Sequence, residues 1–215
     1  MSVMQGLFIT FEGIEGCGKT SQTKLLNDYL TTSGHDVIMT REPGGTPISE
    51  AIRELLLSND SVNMHPHTEL LLYLASRAQH VSEVMKPALE KGRVVICDRF
   101  ADSTFVYQCF VRGINKEIVE TMNNFAVGDM HPDVTFVLDV EPEEGLKRAM
   151  LRNQKHSRGR DRIESESIDF HNRVREGYLK LAQEYPERVY LIKTDKDKNE
   201  VHEEIKKVEI GRAHV

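Results

Sequence analysis

The amino-acid sequence predicts an α/β fold in which helices cover both faces of a five-stranded parallel sheet, making three layers. Short segments rich in valine and isoleucine alternate along the chain with longer segments of helical periodicity, as expected when each strand returns to the sheet through a helix. The strand segments are short and rich in apolar residues, which suits strands buried on both faces. At 215 residues the chain is long enough for one such domain.

The predicted strands cover residues 7–11, 36–40, 93–97, 134–140 and 188–192. Apolar spacing predicts helices over residues 21–30, 48–57, 68–89, 116–127, 143–153 and 168–184. Proline has no N–H to donate, so we expect Pro87 to kink or end the third helix. Right-handed crossovers would place ligand sites at the carboxyl ends of the strands.

A glycine-rich segment lies between the first strand and the first helix. It reads Gly13-Ile14-Glu15-Gly16-Cys17-Gly18-Lys19-Thr20 and fits the pattern Gly-x-x-x-x-Gly-Lys-Thr/Ser. Glycines let backbone N–H groups converge on phosphate oxygens at a helix N-terminus. Lys19 is expected to reach the β- and γ-phosphates of ATP, and the Thr20 hydroxyl to ligate Mg²⁺. Strand, turn and helix together predict a P-loop NTPase fold.

Polar residues follow two other predicted strands. Asp98 and Arg99 come directly after the third strand, where an aspartate is the expected partner of Mg²⁺ or its waters and an arginine can fork onto a second phosphate. Residues 41–46, Arg-Glu-Pro-Gly-Gly-Thr, follow the second strand. They are either a plain polar turn or a rigid loop that presents charge to a ligand.

Two pairs of residues have a spacing of four, which places each pair on one helix face. Tyr73 and Arg77 form one pair, and Thr104 and Gln108 form the other. An aromatic ring and a forked donor on one face could bind a nucleobase. Periodicity alone instead favours Tyr73 as a core residue and Arg77 as its solvated neighbour.

Residues 147–162 are strongly basic, with Asp161 as their one acidic member. Their basic residues are Lys147, Arg148, Arg152, Lys155, Arg158, Arg160 and Arg162. Such a segment is a solvated face or a nucleic-acid patch in many proteins. In a P-loop kinase we instead expect such a segment to be a lid, which closes over the triphosphate and brings arginines to the charge that builds during phosphoryl transfer.

Composition excludes several function classes. The net charge of −6 argues against a protein that coats nucleic acid. Three scattered cysteines are too few for a disulfide framework or a zinc site. No apolar run approaches membrane-spanning length and no signal peptide precedes the first strand. We therefore expect a cytoplasmic protein with neither a membrane nor a nucleic-acid partner.

As an ordered set, these motifs resemble thymidylate kinase, the family that phosphorylates dTMP with ATP. The resemblance runs from about Phe8 to about Lys207. The matching segments are Phe11-Glu12-Gly13, Thr40-Arg41-Glu42-Pro43-Gly44-Gly45, Leu74-Ala75-Ser76-Arg77, Asp98-Arg99-Phe100, Tyr107-Gln108, Arg112-Gly113-Ile114, Pro132-Asp133 and Gly159-Arg160-Asp161-Arg162-Ile163-Glu164. The resemblance implies transfer of the γ-phosphoryl group of ATP to dTMP, with Mg²⁺, to give dTDP and ADP in dTTP biosynthesis.

The resemblance also implies a subsite for the nucleoside of dTMP. Tyr73 would stack on thymine, where many relatives have Phe, and Arg77 would donate to the base. Thr104 and Gln108 would contact the base from the other side. Tyr107 would lie against the deoxyribose. The segment Gln108-Cys109-Phe110 is bulkier than the glycine-rich one common in relatives.

Further implied roles concern the phosphates. Arg99 would hold the acceptor phosphate, with Glu42 and Arg53 shaping that subsite. Glu15 would face the reacting phosphates, and Arg148 would contribute to ATP binding. The P-loop has no arginine, which resembles the bacterial members that supply their catalytic arginine from the lid. The candidates are Arg158, Arg160 and Arg162.

Residues 1–208 are predicted to form a single kinase domain with its lid at about residues 147–163. Residues 209–215 break the amphipathic pattern of Val201, Ile205 and Val208, so we expect a non-native or frayed tail and hold the last packing helix in doubt. The resemblance implies a homodimer formed through helices of the middle segment.

Two alternatives stay open at this point. One is another nucleoside monophosphate kinase, or a deoxynucleoside kinase whose hydroxyl acceptor would need a carboxylate base, for which Glu42 or Asp102 could serve. The other is a nucleotide-binding switch or an ATPase without an acceptor. A plain switch needs no second phosphate clamp, so Asp98-Arg99 and the lid arginines argue against it.

Overall fold

A parallel sheet of five strands forms the centre of the molecule. The computed structural model describes residues 6–155, 157 and 159–209. The strand order is β2-β3-β1-β4-β5, and every neighbouring pair is parallel. The strands are β1 (Phe8–Glu12), β2 (Val37–Arg41), β3 (Val94–Asp98), β4 (Val134–Asp139) and β5 (Val189–Lys193). All five predicted strands and the α/β fold class are confirmed.

Helices connect the strands and cover both faces of the sheet. Within the described residues they are α1 (Lys19–Thr32), α2 (Pro47–Leu57), α3 (Pro66–His80), α4 (Lys86–Glu90), α5 (Ala101–Thr104), α6 (Lys116–Val127), α7 (Pro142–Lys155), α8 (Ile168–Glu184) and α9 (Lys198–Glu209). A 3₁₀ turn covers Asn59–Ser61, and π-helical turns cover Val81–Met85 and Phe105–Val111. None of these helices is long and apolar enough to cross a membrane.

Alternate residues of β3 show that both faces are buried. Ile96 belongs to a cluster that contains Leu26 of α1, whereas Val95 belongs to another cluster that contains Met85. A strand with apolar partners on both sides has no position at which a polar residue would reach water. The apolar run Val94-Val95-Ile96-Cys97 in the sequence follows from this burial.

The helix that contains Pro87 does not end there. It continues through the π-helical turn Val81–Met85 into α4, which ends at Glu90. Pro87 is in the first turn of α4, directly after this π-helical turn, so its missing N–H falls where the hydrogen-bond pattern of the helix changes. The wider turn before it is the local adjustment that lets the helical path continue.

Two helical segments were absent from the predicted elements. The first is α5 with the π-helical turn Phe105–Val111. The second is α9, in which Val201 is 2% exposed and Ile205 is fully buried; it packs on α1 and β5. Glu209, the first residue of the predicted tail, still belongs to α9, and residues 210–215 lie outside the described part of the chain.

Candidate active site

A cleft of about 950 Å³ opens along the carboxyl edge of the sheet. The glycine-rich loop, the ends of β2 and β3, helix α3 and the lid segment all contribute to its walls. Among its lining residues are Glu15, Gly16, Cys17, Gly18, Lys19, Thr20, Glu42, Arg53, Tyr73, Asp98, Arg99, Thr104, Tyr107, Gln108, Arg148 and Arg152. The structure thus brings most of the sequence-predicted site residues into one cavity.

The P-loop surrounds the N-terminus of α1. Gly16 has φ +71°, and a Cβ there would lie 1.9 Å from the carbonyl oxygen of Gly145, so only glycine fits the close approach of the two backbones. Lys19 is 7% exposed, and its Nζ donates to the carbonyl oxygens of Gly13 and Ile14 at 3.0 Å each. These bonds hold the ammonium group at the loop, beside the helix N-terminus that favours anions.

The two predicted magnesium ligands lie next to each other. Thr20 Oγ1 donates to Asp98 Oδ2 at 3.4 Å. The described residues contain no group of three or more His, Cys, Asp and Glu side chains that could hold a metal by themselves. A hydroxyl and one carboxylate match Mg²⁺, which takes few protein ligands and keeps phosphates and waters for the rest.

Arg99 lies at the centre of the cleft and binds several groups at once. Its Nη2 donates to Glu15 Oε1 at 2.5 Å and its Nη1 to the Tyr178 hydroxyl at 3.1 Å. The guanidinium carbon stands 5.4 Å from the centre of the Tyr107 ring. Burial alone would raise the pKa of Glu15, but the charges of Arg99 and Lys19 lower it to about 2. Glu15 is therefore ionised and joins the P-loop to Arg99.

A fully buried carboxylate supports Arg99 from below. Glu12 Oε2 accepts hydrogen bonds from Ser103 Oγ at 2.6 Å and from the Tyr178 hydroxyl at 2.7 Å. Burial raises the pKa of Glu12, against the opposing charge of Arg99. Our sequence-based reasoning gave no role to Glu12 or Tyr178. Glu12 stands in a quoted motif, whereas Tyr178 is on α8 and no local signal connects it with Arg99.

Tyr73, Thr104, Tyr107 and Gln108 line the same cleft as Arg99. Burial and the nearby Glu69 raise the pKa of Tyr73 to about 12, so its ring is neutral and suited to stacking. Tyr73 is half-buried and lines the cleft rather than the core. Its role as the stacking residue stays a prediction.

Arg77 differs from both interpretations made above. It is 1% exposed, so it is not a solvated neighbour of Tyr73, and it is not among the residues that line the cleft. Its Nε donates to Glu42 Oε2 at 2.7 Å, and its Nη1 donates to Thr104 Oγ1 at 2.7 Å and to Asn123 Oδ1 at 2.8 Å. Its Nη2 donates to the Phe100 carbonyl at 2.9 Å. Direct donation from Arg77 to a base stays a prediction. In the structure, the hydrogen bonds from Arg77 orient the side chains of Glu42 and Thr104.

The carboxylates considered as bases for a hydroxyl acceptor are both engaged. Glu42 accepts from Arg77 and lies 3.1 Å from His80 Nδ1. Asp102 pairs with Arg188 through bonds of 2.7 and 2.8 Å and is not among the residues that line the cleft. Arg53 lines the cleft beside Glu42, and its Nη1 donates to the Pro43 carbonyl at 3.0 Å.

The lid arginines are placed differently from our expectation. Arg162 is 6% exposed, and its Nη2 lies 2.6 Å from Glu69 Oε2. Its Nε donates to the Leu56 carbonyl at 2.8 Å, which turns the side chain toward α2 and α3. Arg160 is exposed and does not line the cleft. Arg158 lies outside the described residues.

Arg152 is a basic residue of the lid segment that was not among the candidates for the catalytic arginine. It lines the cleft, pairs with Glu164 at 2.6 Å, and its charge contributes to the lowered pKa of Glu15. Arg148 lines the cleft four residues earlier on α7, and its Nη1 donates to the Thr194 carbonyl at 3.2 Å. Because residues four apart lie on one helix face, the spacing of Arg148 and Arg152 in the sequence could have predicted that they face the cleft together.

The family model described as thymidylate kinase matches residues 11–205. The chain belongs to the thymidylate kinase family. The thymidylate kinase of Maridesulfovibrio salexigens is 50% identical over 202 residues, which cover 93% of each chain. That of Geotalea uraniireducens is 52% identical over 188 residues, which cover 87% of this chain and 88% of the relative.

A solved structure agrees with the family. The crystal structure of thymidylate kinase from Ehrlichia chaffeensis superposes with a TM-score of 0.75 at 37% identity, covering 95% of this chain and 98% of the other. The thymidylate kinase resemblance and the P-loop NTPase fold expected from the sequence are both confirmed.

Proposed function

We propose that the protein transfers the γ-phosphoryl group of ATP to dTMP and releases dTDP and ADP. One observation carries this proposal at the level of the site. The Glu15–Arg99 ion pair joins the P-loop to an arginine in the same cleft, which supports a donor phosphate at Lys19 and an acceptor phosphate at Arg99. Membership of the thymidylate kinase family supports ATP as the donor and dTMP as the acceptor.

The chemistry asks for positioning and charge rather than for a base. An acceptor phosphate is already anionic, so no group has to remove a proton from it before attack. Lys19 and Arg99 hold two anions that would otherwise repel each other, in a cleft where charges act strongly. Mg²⁺, held by Thr20 and Asp98, would neutralise charge on the phosphates of ATP.

Arg152 is the arginine that we expect to contact the phosphoryl group during its transfer. Arg152 lines the cleft together with Arg148, and the charge of Arg152 contributes to the lowered pKa of Glu15. Arg148, Thr194 and Lys198 line the cleft as well, and we place the rest of ATP beside them. A closed lid also excludes water, which would otherwise hydrolyse ATP.

The test is ADP release from ATP and Mg²⁺ with dTMP, dUMP, dCMP, dGMP, AMP and thymidine in parallel. We expect strong stimulation by dTMP, weaker stimulation by dUMP and little by the others. Stimulation by thymidine but not by dTMP would move the assignment to a nucleoside kinase. Turnover of ATP that no acceptor changes would instead support an ATPase switch.

A homodimer and a cytoplasmic location also stay proposals. For the dimer, Phe125 is 92% exposed and Ile118, two helical turns earlier on α6, is 52% exposed. Leu71 of the neighbouring α3 is 55% exposed. Such an apolar face suits a second copy of the chain. Sedimentation of the wild type should give a dimer, and Phe125→Glu should give a monomer; a wild-type monomer would reject the proposal.

A further inference from the structure

Glu69 is a buried carboxylate that the proposed reaction does not use. It lies on α3, one helical turn before Tyr73, and is 1% exposed. Three side chains from other segments converge on it. Gln108 Nε2 donates to Oε1 at 2.9 Å, Arg112 Nε donates to Oε1 at 3.3 Å, and Arg162 Nη2 lies 2.6 Å from Oε2.

The charge state of Glu69 follows from these partners. Burial alone would raise the pKa of this carboxyl, but Arg112 and the hydrogen bonds from its neighbours hold the pKa below its ordinary value. Glu69 is therefore ionised at neutral pH. An ionised carboxylate can only accept hydrogen bonds.

An acceptor next to an amide decides which way the amide points. Gln108 must turn its NH₂ toward Glu69, because its carbonyl oxygen would be repelled there. Gln108 Oε1 then lies on the other branch of the amide, and the described residues provide it with no hydrogen-bond donor. Gln108 lines the cleft together with Tyr73. The ligand therefore meets an acceptor at this position, not a donor.

Pyrimidine bases differ in the group they offer to such an acceptor. Thymine and uracil carry a hydrogen on N3 and donate from it, whereas N3 of cytosine has only a lone pair. We propose that Glu69 is a positioning residue for acceptor specificity, which holds the Gln108 carbonyl toward an imide N–H and so excludes cytosine. The inference rests on the proposed function, because it concerns the base of the nucleotide acceptor.

Glu69 has a second task that any experiment must separate from the first. Arg162 belongs to the lid segment, and its backbone N–H donates to the Leu57 carbonyl at 3.0 Å. Removing the charge of Glu69 will loosen this attachment as well as the Gln108 amide. Stability and overall rate are therefore the wrong readouts, and the ratio of two acceptors is the right one.

The decisive experiment is a double-mutant cycle of Glu69→Gln and Gln108→Leu, scored by kcat/KM for dTMP divided by that for dCMP. In Glu69→Gln the neutral amide can donate or accept, so Gln108 is free to turn over. We expect this ratio to fall by about tenfold or more in each single variant. In the Gln108→Leu background, Glu69→Gln should change the ratio by less than about twofold.

Two outcomes would overturn the inference. One is an equal loss for dTMP and dCMP in Glu69→Gln. The other is a loss of discrimination that persists undiminished in the Gln108→Leu background. A wild type that does not phosphorylate dTMP at all would overturn the proposed function instead, so the two failures are distinguishable.

Asp102→Asn is the matched control for Glu69→Gln, because each variant removes the charge of a buried carboxylate that is paired with an arginine. Asp102 is 7% exposed, pairs with Arg188 and does not line the cleft, so the variant should lose stability and keep the dTMP to dCMP ratio. If Glu69→Gln does not fold, the wild type can be assayed with N3-methyl-dTMP. Removal of the N3 hydrogen should lower kcat/KM by about tenfold or more, and equal use of this analogue would contradict the inference.

Discussion

At the scale of single residues, the conformation of Arg99 is the most demanding feature of the site. Its φ is +71°, a left-handed conformation that is uncommon outside glycine and costs about 1–3 kcal/mol when other residues must maintain it. Glu15, Ser103 and Tyr178 all bind its guanidinium. The side-chain contacts therefore hold a backbone geometry that aims the arginine into the cleft.

We predict that Tyr178→Phe weakens binding of the acceptor. Loss of the hydroxyl removes one partner of Arg99 and one donor to Glu12, so the guanidinium should lose its fixed position. KM for dTMP should rise by about 5- to 20-fold while KM for ATP changes by less than about twofold. Tyr190→Phe, which removes an exposed hydroxyl on β5, is the control. A parallel rise in both KM values would contradict the role.

The ion pair of Glu15 predicts a dependence of stability on pH. The pKa of Glu15 is about 2 in the folded state against 4.5 for the free carboxyl. A depressed pKa means that the contribution is full above about pH 4.5 and is lost as the pH falls toward 2. The free energy of unfolding of the wild type should exceed that of Glu15→Gln by up to about 3 kcal/mol at pH 6.

Urea unfolding of both proteins at several pH values between 6 and 3 measures this difference. The difference should stay near its full value down to about pH 5 and then shrink as the pH falls to 3, and a constant difference would contradict the assigned pKa. Glu90→Gln, a change at an exposed residue, should leave the free energy of unfolding at pH 6 unchanged within about 0.5 kcal/mol.

Residue types and spacing predicted some contacts and not others. The P-loop pattern placed Lys19 and Thr20, and the strand end placed Asp98 beside Thr20. The burial of Arg77 could not be predicted, because a spacing of four sets the helix face but not how deeply that face is covered. Its partners Glu42, Thr104 and Asn123 come from three other segments, and only the folded chain brings them together.

At the scale of elements, the arginines of the lid segment point in two directions. Arg148 and Arg152 face the cleft from α7, whereas Arg162 in the segment before α8 faces Glu69. The carboxyl end of the lid segment is thus bound to α3 through Arg162 and Glu69. The cations that face the cleft come from α7, at the other end of the segment.

Arg152→Gln and Arg160→Gln form a matched pair that tests this division. Because Arg152 lines the cleft, we expect its loss to lower kcat by about 100-fold, the scale of one charge aimed at the transition state. Arg160→Gln should lower kcat by less than about threefold. The measurement is steady-state kcat with saturating ATP and dTMP, and the reverse ranking would refute our assignment.

Whether an element could be predicted depended on where its stabilisation comes from. The central strands β1, β3 and β4 are buried almost throughout and are rich in apolar residues. The partly exposed β2 and β5 were also found, from their valine and isoleucine residues. The π-helical turn Phe105–Val111 is rich in aromatic and β-branched residues that favour strands in isolation. Its packing on α8 overrides that preference, and such long-range packing leaves no local pattern in the sequence.

At the scale of the whole molecule, α9 closes the core over α1 and β5. Ile205 is fully buried and belongs to the largest hydrophobic cluster of the described residues. Ile205→Ala should lower the free energy of unfolding by about 2–4 kcal/mol, because a cavity adds to the lost apolar burial.

Ile48→Ala is the same chemical change at a residue that is 55% exposed, and it should cost less than about 1 kcal/mol. Chemical denaturation of the three proteins measures the difference. Equal free energies for Ile205→Ala and the wild type would mean that α9 does not support the fold.

The position of β1 in the sheet has a consequence for synthesis of the chain. β1 leaves the ribosome before both of its partner strands, because Phe8 pairs with Val95 and Ile9 pairs with Val134. Both edges of this apolar strand stay unpaired during most of translation, a state that invites aggregation and chaperone binding. The P-loop can reach its final conformation only after Gly145 has been synthesised, because Gly16 packs against the backbone of Gly145. A nascent chain should therefore gain affinity for ATP in one late step, after α7 has emerged.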